Sequence, residues 1–247
     1  MAQFLTFALV APIASFGAIA VGERRPTWDR PARSAVLGLI GACLGIERED
    51  DAGQAALAAD YGLALLCHAP GRLLADYHTA QVPPTKAKRR FATRAEELAA
   101  PDLATILSRR DYRIGAWHLA AVWARGPSPR WELEKLADAM EKPGFVPYLG
   151  RKSCPLGLPL APKLADTANP GMALAQRHSI GPEASFHEWA DTAGVPFVTR
   201  DAWAEADPAL GQRTEIRRDQ PRSRRLWHFD LREEVVEALP VLNGSAL

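Results

Sequence analysis

No residue from 2 to 22 carries a charge, and this run constrains the chain more than any other stretch. Phe4, Leu5, Phe7, Leu9 and Val10 predict a buried strand over residues 4–10, rich in aromatic and aliphatic side chains and ended by Pro12. Ala18-Ile19-Ala20 mimics a signal-peptidase site. A signal peptide wants a basic leading segment, however, and only Met1, Ala2 and Gln3 precede Phe4. Pro12 and Gly17 also split the run, so it holds no uninterrupted apolar span of membrane length. The expectation is a cytoplasmic chain with no membrane association.

A length of 247 residues suits one large domain, or a core domain with a sizeable insertion, and 47% hydrophobic residues suffice for a real core. The formal net charge of +1 does not point to a polyanion, but its distribution does. Basic residues gather at 23–33, 86–94, 109–113 and 213–225, and acidic ones at 47–51 and 132–141. Local patches decide what a polyanion meets. Cys43, Cys67 and Cys154 are odd in number and form no CxxC pair, which argues against a disulfide framework or a zinc site. They read as small buried residues in a reducing compartment. His118, His178, His187 and His228 have no metal-ligand spacing and no carboxylate pair stands out, so no cofactor or metal is expected.

After the first strand comes a loop with Gly17 and Gly22, then a basic, proline-punctuated segment. A helix is predicted over 33–44, with Pro31 near its start and Gly45 just past its end. Gly38 and Gly41 share one face of it, at a cost of roughly 1 kcal/mol each against alanine. Tight packing on a sheet is the expected return. A second helix covers 50–60. Short strands at 63–67 and 73–77 flank Ala69-Pro70-Gly71, which reads as a hairpin turn. Residues 81–101 open with Val82-Pro83-Pro84 and have little apolar content until Leu98, so they read as a projecting arm. A strand is expected at 112–123 and a helix from about 131 to 141, with Leu133, Leu136 and Met140 on one stripe and Pro143-Gly144 as its stop. Residues 145–148 suggest a short strand. Short strands at 195–199, 214–218 and 226–231 follow a turn-rich segment. Trp117, Trp123 and Trp131 read as core. This order of elements is what a ferredoxin-like β-α-β-β-α-β unit produces.

Several segments together carry a resemblance: Arg25-Pro26-Thr27; Arg33-Ser34 leading into Leu37-Gly38-Leu39-Ile40-Gly41-Ala42-Cys43-Leu44-Gly45-Ile46; Asp76-Tyr77-His78-Thr79; Glu132-Leu133-Glu134; and Pro147-Tyr148-Leu149-Gly150-Arg151-Lys152-Ser153-Cys154-Pro155-Leu156. In this order and spacing the chain resembles the Cas-five-type subunits of type I-E CRISPR Cascade, within the RAMP superfamily; the final third is less similar. The resemblance implies an α+β fold: a ferredoxin-like (RRM-like) RAMP domain with an inserted thumb arm and a C-terminal β-hairpin accessory region. Residues 1–79 and 109–150 would form the RNA-binding core, 80–108 the arm and 151–247 the accessory region. It also implies a non-catalytic subunit that grips the 5′ handle of a CRISPR RNA and caps the backbone filament. Its neighbours would be a backbone (CasC-type) and a large (CasA-type) subunit, and target DNA would be met only through the complex.

Single-stranded RNA asks for cations along its phosphates and flat groups against its unstacked bases. Lys86, Lys88, Arg89, Arg90 and Arg94 on the arm supply the first. Tyr148 supplies the second, beside a turn in which Gly150 and Ser153 can expose anion-binding groups and Arg151 and Lys152 add charge. The family pattern places an RNA-contacting arginine near Arg110, for which Arg109 can substitute. Arg25 and Arg33 flank the first helix, and Ser34 lies in its first turn, where N–H groups are free for phosphate. Surface ion pairing with Glu23 or Asp29 is the plainer reading for these two arginines. Tyr77, His78 and Lys86 offer a competing function, metal-independent cleavage of repeat RNA as in type I-C relatives. A protein scaffold without RNA contact is a third. The Arg213, Arg217, Arg218, Arg222, Arg224 and Arg225 cluster reads equally as a contact surface and as a solvated face.

Overall fold

The computed structural model describes residues 1–20, 22–83, 90–180, 200–205 and 213–237. In chain order the elements are β1 (Ala2–Ala14), β2 (Arg24–Arg25), α1 (Arg33–Cys43), α2 (Asp51–Asp60), β3 (Tyr61–Ala69), β4 (Arg72–Val82), α3 (Arg94–Leu98), β5 (Ala104–Ala124), α4 (Leu133–Glu141), β6 (Lys163–Thr167), α5 (Pro170–Ile180), β7 (Arg200–Glu205), β8 (Arg213–Ser223) and β9 (His228–Glu237). The result is a mixed α/β protein built on a single sheet, ordered β6-β1-β5-β3-β7-β9-β8, with β2 and β4 also paired to β5. Among the described residues no helix is long and apolar enough to cross a membrane.

The uncharged run owes its composition to position. β1 lies between β5 and β6, antiparallel to both. Its Leu5, Phe7 and Leu9 pack with α1, α2 and α4, while Ala8 and Val10 pack on the other face with Trp117, Leu119 and Leu174. A strand covered on both faces has nowhere to put a charge. β1 runs past the expected end at residue 10 because its register with β5 passes from Ala11 to Ile13, leaving out Pro12, which has no N–H to contribute. Each fully buried Leu or Phe here contributes roughly 1.5–3 kcal/mol.

α1 begins and ends as predicted, with Gly45 at φ +72° just beyond it. α2 starts at a cap in which the Asp50 side chain accepts from the Gly53 N–H. The Leu133, Leu136 and Met140 stripe of α4 is buried. Gly144 closes α4 against α1: its N–H donates to Cys43 O at 2.8 Å, and a Cβ on it would stand 2.8 Å from the Gly45 Cα. The three cysteines are free and buried, Trp117 is buried, and Trp123 and Trp131 pack partly buried against the core.

One local expectation is corrected. Ala69-Pro70-Gly71 does not turn β3 back on β4. The two strands follow one another along β5, β3 pairing up to Ala69↔Trp117 and β4 from Arg72↔Ile114. Gly71 and Gly115, at φ +72° and +69°, bend the paired chains at this level, and a Cβ on Gly71 would meet Ile114 O at 2.8 Å. β5 is thus 21 residues long, where a strand over 112–123 was expected. Its outer half forms an exposed hairpin with β4 in continuous register from Arg72↔Ile114 to Val82↔Ala104. α3 sits near the hairpin's far end, capped by the Thr93 side chain.

β8 and β9 form an antiparallel hairpin tied to the core through buried charge. Arg232 bonds both oxygens of Asp219 at 2.6 and 3.1 Å, Arg217 and Arg30 reach Glu234, and Arg30 also reaches Glu215 at 2.7 Å. The expected strand at 195–199 lies outside the described residues.

Candidate nucleic-acid interface

The segment from Pro147 to Pro155 is a tight loop pinned to the end of β1. Tyr148 and Pro155 form a β-bridge, Leu149 N–H donates to Cys154 O, and Ser15 N–H donates to Leu149 O at 3.0 Å. Gly150 is obligatory here, with φ +90° and a would-be Cβ only 1.5 Å from Ser15 O. The pinning holds the Tyr148 ring partly exposed and leaves Lys152 and Ser153 at the surface.

Arg151 works differently. Its guanidinium donates to Asp111 O at 3.2 Å and to Arg25 O at 3.0 Å, and it lies 4.6 Å from the centroid of the Tyr112 ring. It therefore stitches this loop to β2 and β5, at the foot of the arm. There β2 pairs parallel with β5, setting Arg24 beside Arg109 and Arg25 beside Arg110. Asp111, buried between them, binds Arg24 at 2.7 Å and Arg109 at 3.5 Å. Arg25 and Arg110 are exposed, and no carboxylate bonds either among the described residues. The fold thus assembles Arg25, Arg109, Arg110, Tyr148, Arg151, Lys152 and Ser153 from three separate stretches of chain.

Arg33 does not join them. It is fully buried, its side chain donating to Gln220 Oε1 and to the carbonyls of Ala58 and Tyr61, each at 2.8 Å. Its N–H, in the first turn of α1, donates to Asp219 Oδ2 at 2.8 Å. A protein carboxylate occupies the place expected for a phosphate, because the C-terminal hairpin docks there. This corrects both the RNA reading and the surface-pairing reading of Arg33. Ser34 is partly buried, and its carbonyl accepts from Arg224. On the arm, Arg90 is exposed and Arg94 is held by Glu97 at 2.6 Å and by the Gln81 carbonyl. Lys86, Lys88 and Arg89 lie outside the described residues.

Between α1, the loop after β1, the Tyr148 loop and the β8–β9 turn runs a cleft of about 390 Å³. Arg25, Ser34, Tyr148 and Arg151 line it, joined by Arg218, Arg224, Trp227 and Phe229 of the C-terminal hairpin. The sequence marked these last arginines only as a cluster of undecided role and did not mark the aromatics. The signal available was Trp227 and Phe229 following directly on Arg224 and Arg225. Within the cluster, Arg217 is buried among carboxylates while Arg218 is not. Burial, and then the neighbouring Arg48 cation, pushes the Arg224 guanidinium down to about 10.

The fold and site together define a mixed α/β protein with a positively charged, aromatic-lined cleft beside an exposed hairpin arm. The family model described as CRISPR-associated protein (Cas_Cas5) matches residues 4–233, and the chain belongs to this family. It is 30% identical over 209 residues to the CRISPR system Cascade subunit CasD of Escherichia coli (strain K12), covering 81% of this chain and 88% of that protein. In fold it is similar to a chain of a CRISPR RNA-guided surveillance complex, at a TM-score of 0.64 and 21% identity over 97% of this chain and 92% of that one. It is also similar to a Cas protein crystal structure, at 0.57 and 24% over 96% and 95%. The family read from the sequence motifs is thereby borne out.

Proposed function

We propose that this protein is a non-catalytic subunit of a type I-E Cascade that binds the 5′ handle of CRISPR RNA and caps the backbone filament. In this reading it lies in the cytoplasm, contacts CasC-type and CasA-type subunits, and meets target DNA only through the complex. Membership of the family and the likeness to a Cascade subunit support the assembly. The observation that carries RNA binding is the convergence of Arg25, Arg110, Lys152 and the exposed Tyr148 ring at the foot of a projecting hairpin. Cations for phosphates and a ring for a base are what a flexible single strand requires.

The core reads as a ferredoxin-like unit. In support, β1, β3, β5 and β6 stand in the order β6-β1-β5-β3, all neighbours antiparallel, with α1 and α2 between β1 and β3, and α4 between β5 and β6. Residues 1–79 and 109–150 then form the core together with β6 (Lys163–Thr167), 80–108 the thumb arm, and the remainder of 151–247 the accessory region. Strand geometry supports the non-catalytic reading. Tyr77 and His78 are consecutive on β4, so their side chains leave opposite faces of the hairpin and do not converge on one 2′-hydroxyl.

The test is photocrosslinking of guide RNA within the assembled complex, with adducts expected near Tyr148 and Arg110. Their absence would favour a scaffold without RNA contact. Incubation of the purified chain with repeat RNA and no metal should leave the RNA intact. A specific cut abolished by His78→Ala would establish the endoribonuclease instead.

A further inference from the structure

The β8–β9 turn carries a conformational oddity. Trp227 adopts φ +54°, a left-handed conformation unfavourable for a residue with a side chain, and the residue remains 57% exposed. The ring is not loose. Arg48 covers one face at 4.5 Å from the centroid and also bonds the Arg224 carbonyl at 3.2 Å, while Phe229 stands 6.0 Å away. A strained backbone is here holding an indole in place at the cleft.

The charges of the cleft are equally unusual. Arg25, Arg151, Arg218 and Arg224 all line it, and the partners described for each are backbone carbonyls, with no carboxylate among them. Elsewhere in the same hairpin, Arg217 and Arg232 are matched to Asp219 and Glu234. Among the described residues, the one acidic residue lining the cleft, Asp219, is taken by Arg232 and the Arg33 N–H. Arg224 is received by α1 itself: Gly38 leaves space where a Cβ would stand 2.6 Å from the Arg224 Nη2. Guanidiniums satisfied by carbonyls keep their positive charge uncompensated and favour an anion.

We propose that the β8–β9 turn closes this cleft into a clamp for one unstacked nucleotide of single-stranded RNA, with the Trp227 and Tyr148 rings against the base and Arg224 and Arg218 against its phosphate. The clamp rests on the RNA-binding reading above and assigns to the C-terminal hairpin a binding role. The cleft volume of about 390 Å³ falls among ordinary small-ligand sites.

The experiment titrates the full chain with a fluorescein-labelled single-stranded oligoribonucleotide of the repeat-derived handle, at several salt concentrations, by anisotropy. Trp227→Gly removes the ring and suits the backbone angle, so it should fold at least as well as the parent and bind about 5- to 100-fold more weakly, with an unchanged salt slope. Trp227→Phe should restore most of the affinity. Arg224→Gln should weaken binding and lower the log K against log salt slope by about 0.7. If Arg110→Ala and Tyr148→Ala weaken binding while Trp227→Gly and Arg224→Gln do not, the clamp is wrong and the handle-binding reading stands. If the unaltered chain does not bind the oligonucleotide, the clamp fails, and crosslinking within the assembled complex decides the handle-binding reading separately. If a free nucleoside monophosphate competes as well as the oligonucleotide, the site takes mononucleotides and the RNA clamp is overturned.

Discussion

Arg33 and Arg110 both stand in basic stretches, yet the fold gives them opposite work. Arg33 is fully buried and feeds three acceptors, two of them buried carbonyls, so Arg33→Ala should cost roughly 3–5 kcal/mol, read by denaturant unfolding. Arg110 is exposed beside Arg25, so Arg110→Ala should leave stability within about 0.5 kcal/mol. Its effect should fall on RNA affinity, with a salt slope smaller by about 0.7. Gly150 makes the same point about backbone. A methyl group there would strike Ser15 O, so Gly150→Ala should unpin the Tyr148 loop, lower the thermal midpoint by several degrees and weaken RNA binding together. Charge and residue type are visible in a sequence, but which of two arginines is buried is not, because the burying partner of Arg33 lies on β8, far along the chain.

The boundaries of α1, α2 and α4 were legible because they are set by local chemistry. Asp50 caps its own helix, Gly45 ends α1, and the α4 stripe has helical period. The path of β3 into β4 was misread because a glycine at positive φ is compatible with both a turn and a bend, and the partner strand decides between them. Gly38 was visible as a helix glycine, but its neighbour, Arg224, was not. Gly38→Ala should leave α1 as stable or up to about 1 kcal/mol more so, because the guanidinium tip can swing away. By displacing Arg224 it should weaken RNA binding, which separates site damage from fold damage. The arm follows from its own register. Val82 and Ala104 are paired, so replacing residues 83–103 with an Asn-Gly turn should close the hairpin. The core should keep its thermal midpoint and RNA affinity should fall.

At the scale of the whole molecule, acid sensitivity among the described residues gathers at two buried places. His118 is fully buried between β1 and β3, and burial, joined by the Arg30 and Arg113 cations, pushes its imidazole down to about 3. The unfolded chain protonates this residue near 6.5, so between about pH 6.5 and 3 the unfolded state binds the extra proton and stability falls on acidification, by up to about 1.4 kcal/mol per pH unit. His118→Phe should flatten that slope in denaturant titrations. Burial works against the Asp219 carboxylate, but the bonds and charge of Arg232, with Arg217, overcome it and hold the group below the usual carboxylate range. Its contribution is therefore present above about pH 4 and lost as the pH falls through the depressed value, so the C-terminal hairpin should loosen last on acidification. The sequence by itself determined what is local or periodic: a strand too apolar to be wetted, three helices, an arm too polar to be buried, and motifs specific enough to name the family. Only the tertiary structure decided which cations face solvent, that a carboxylate rather than a phosphate sits on α1, and that aromatics from the last hairpin meet Tyr148 in one cleft. The seating of Asp219 on α1 and the meeting of Trp227 with Tyr148 join residues far apart in the chain, and no short window of sequence contains both partners of such a pair.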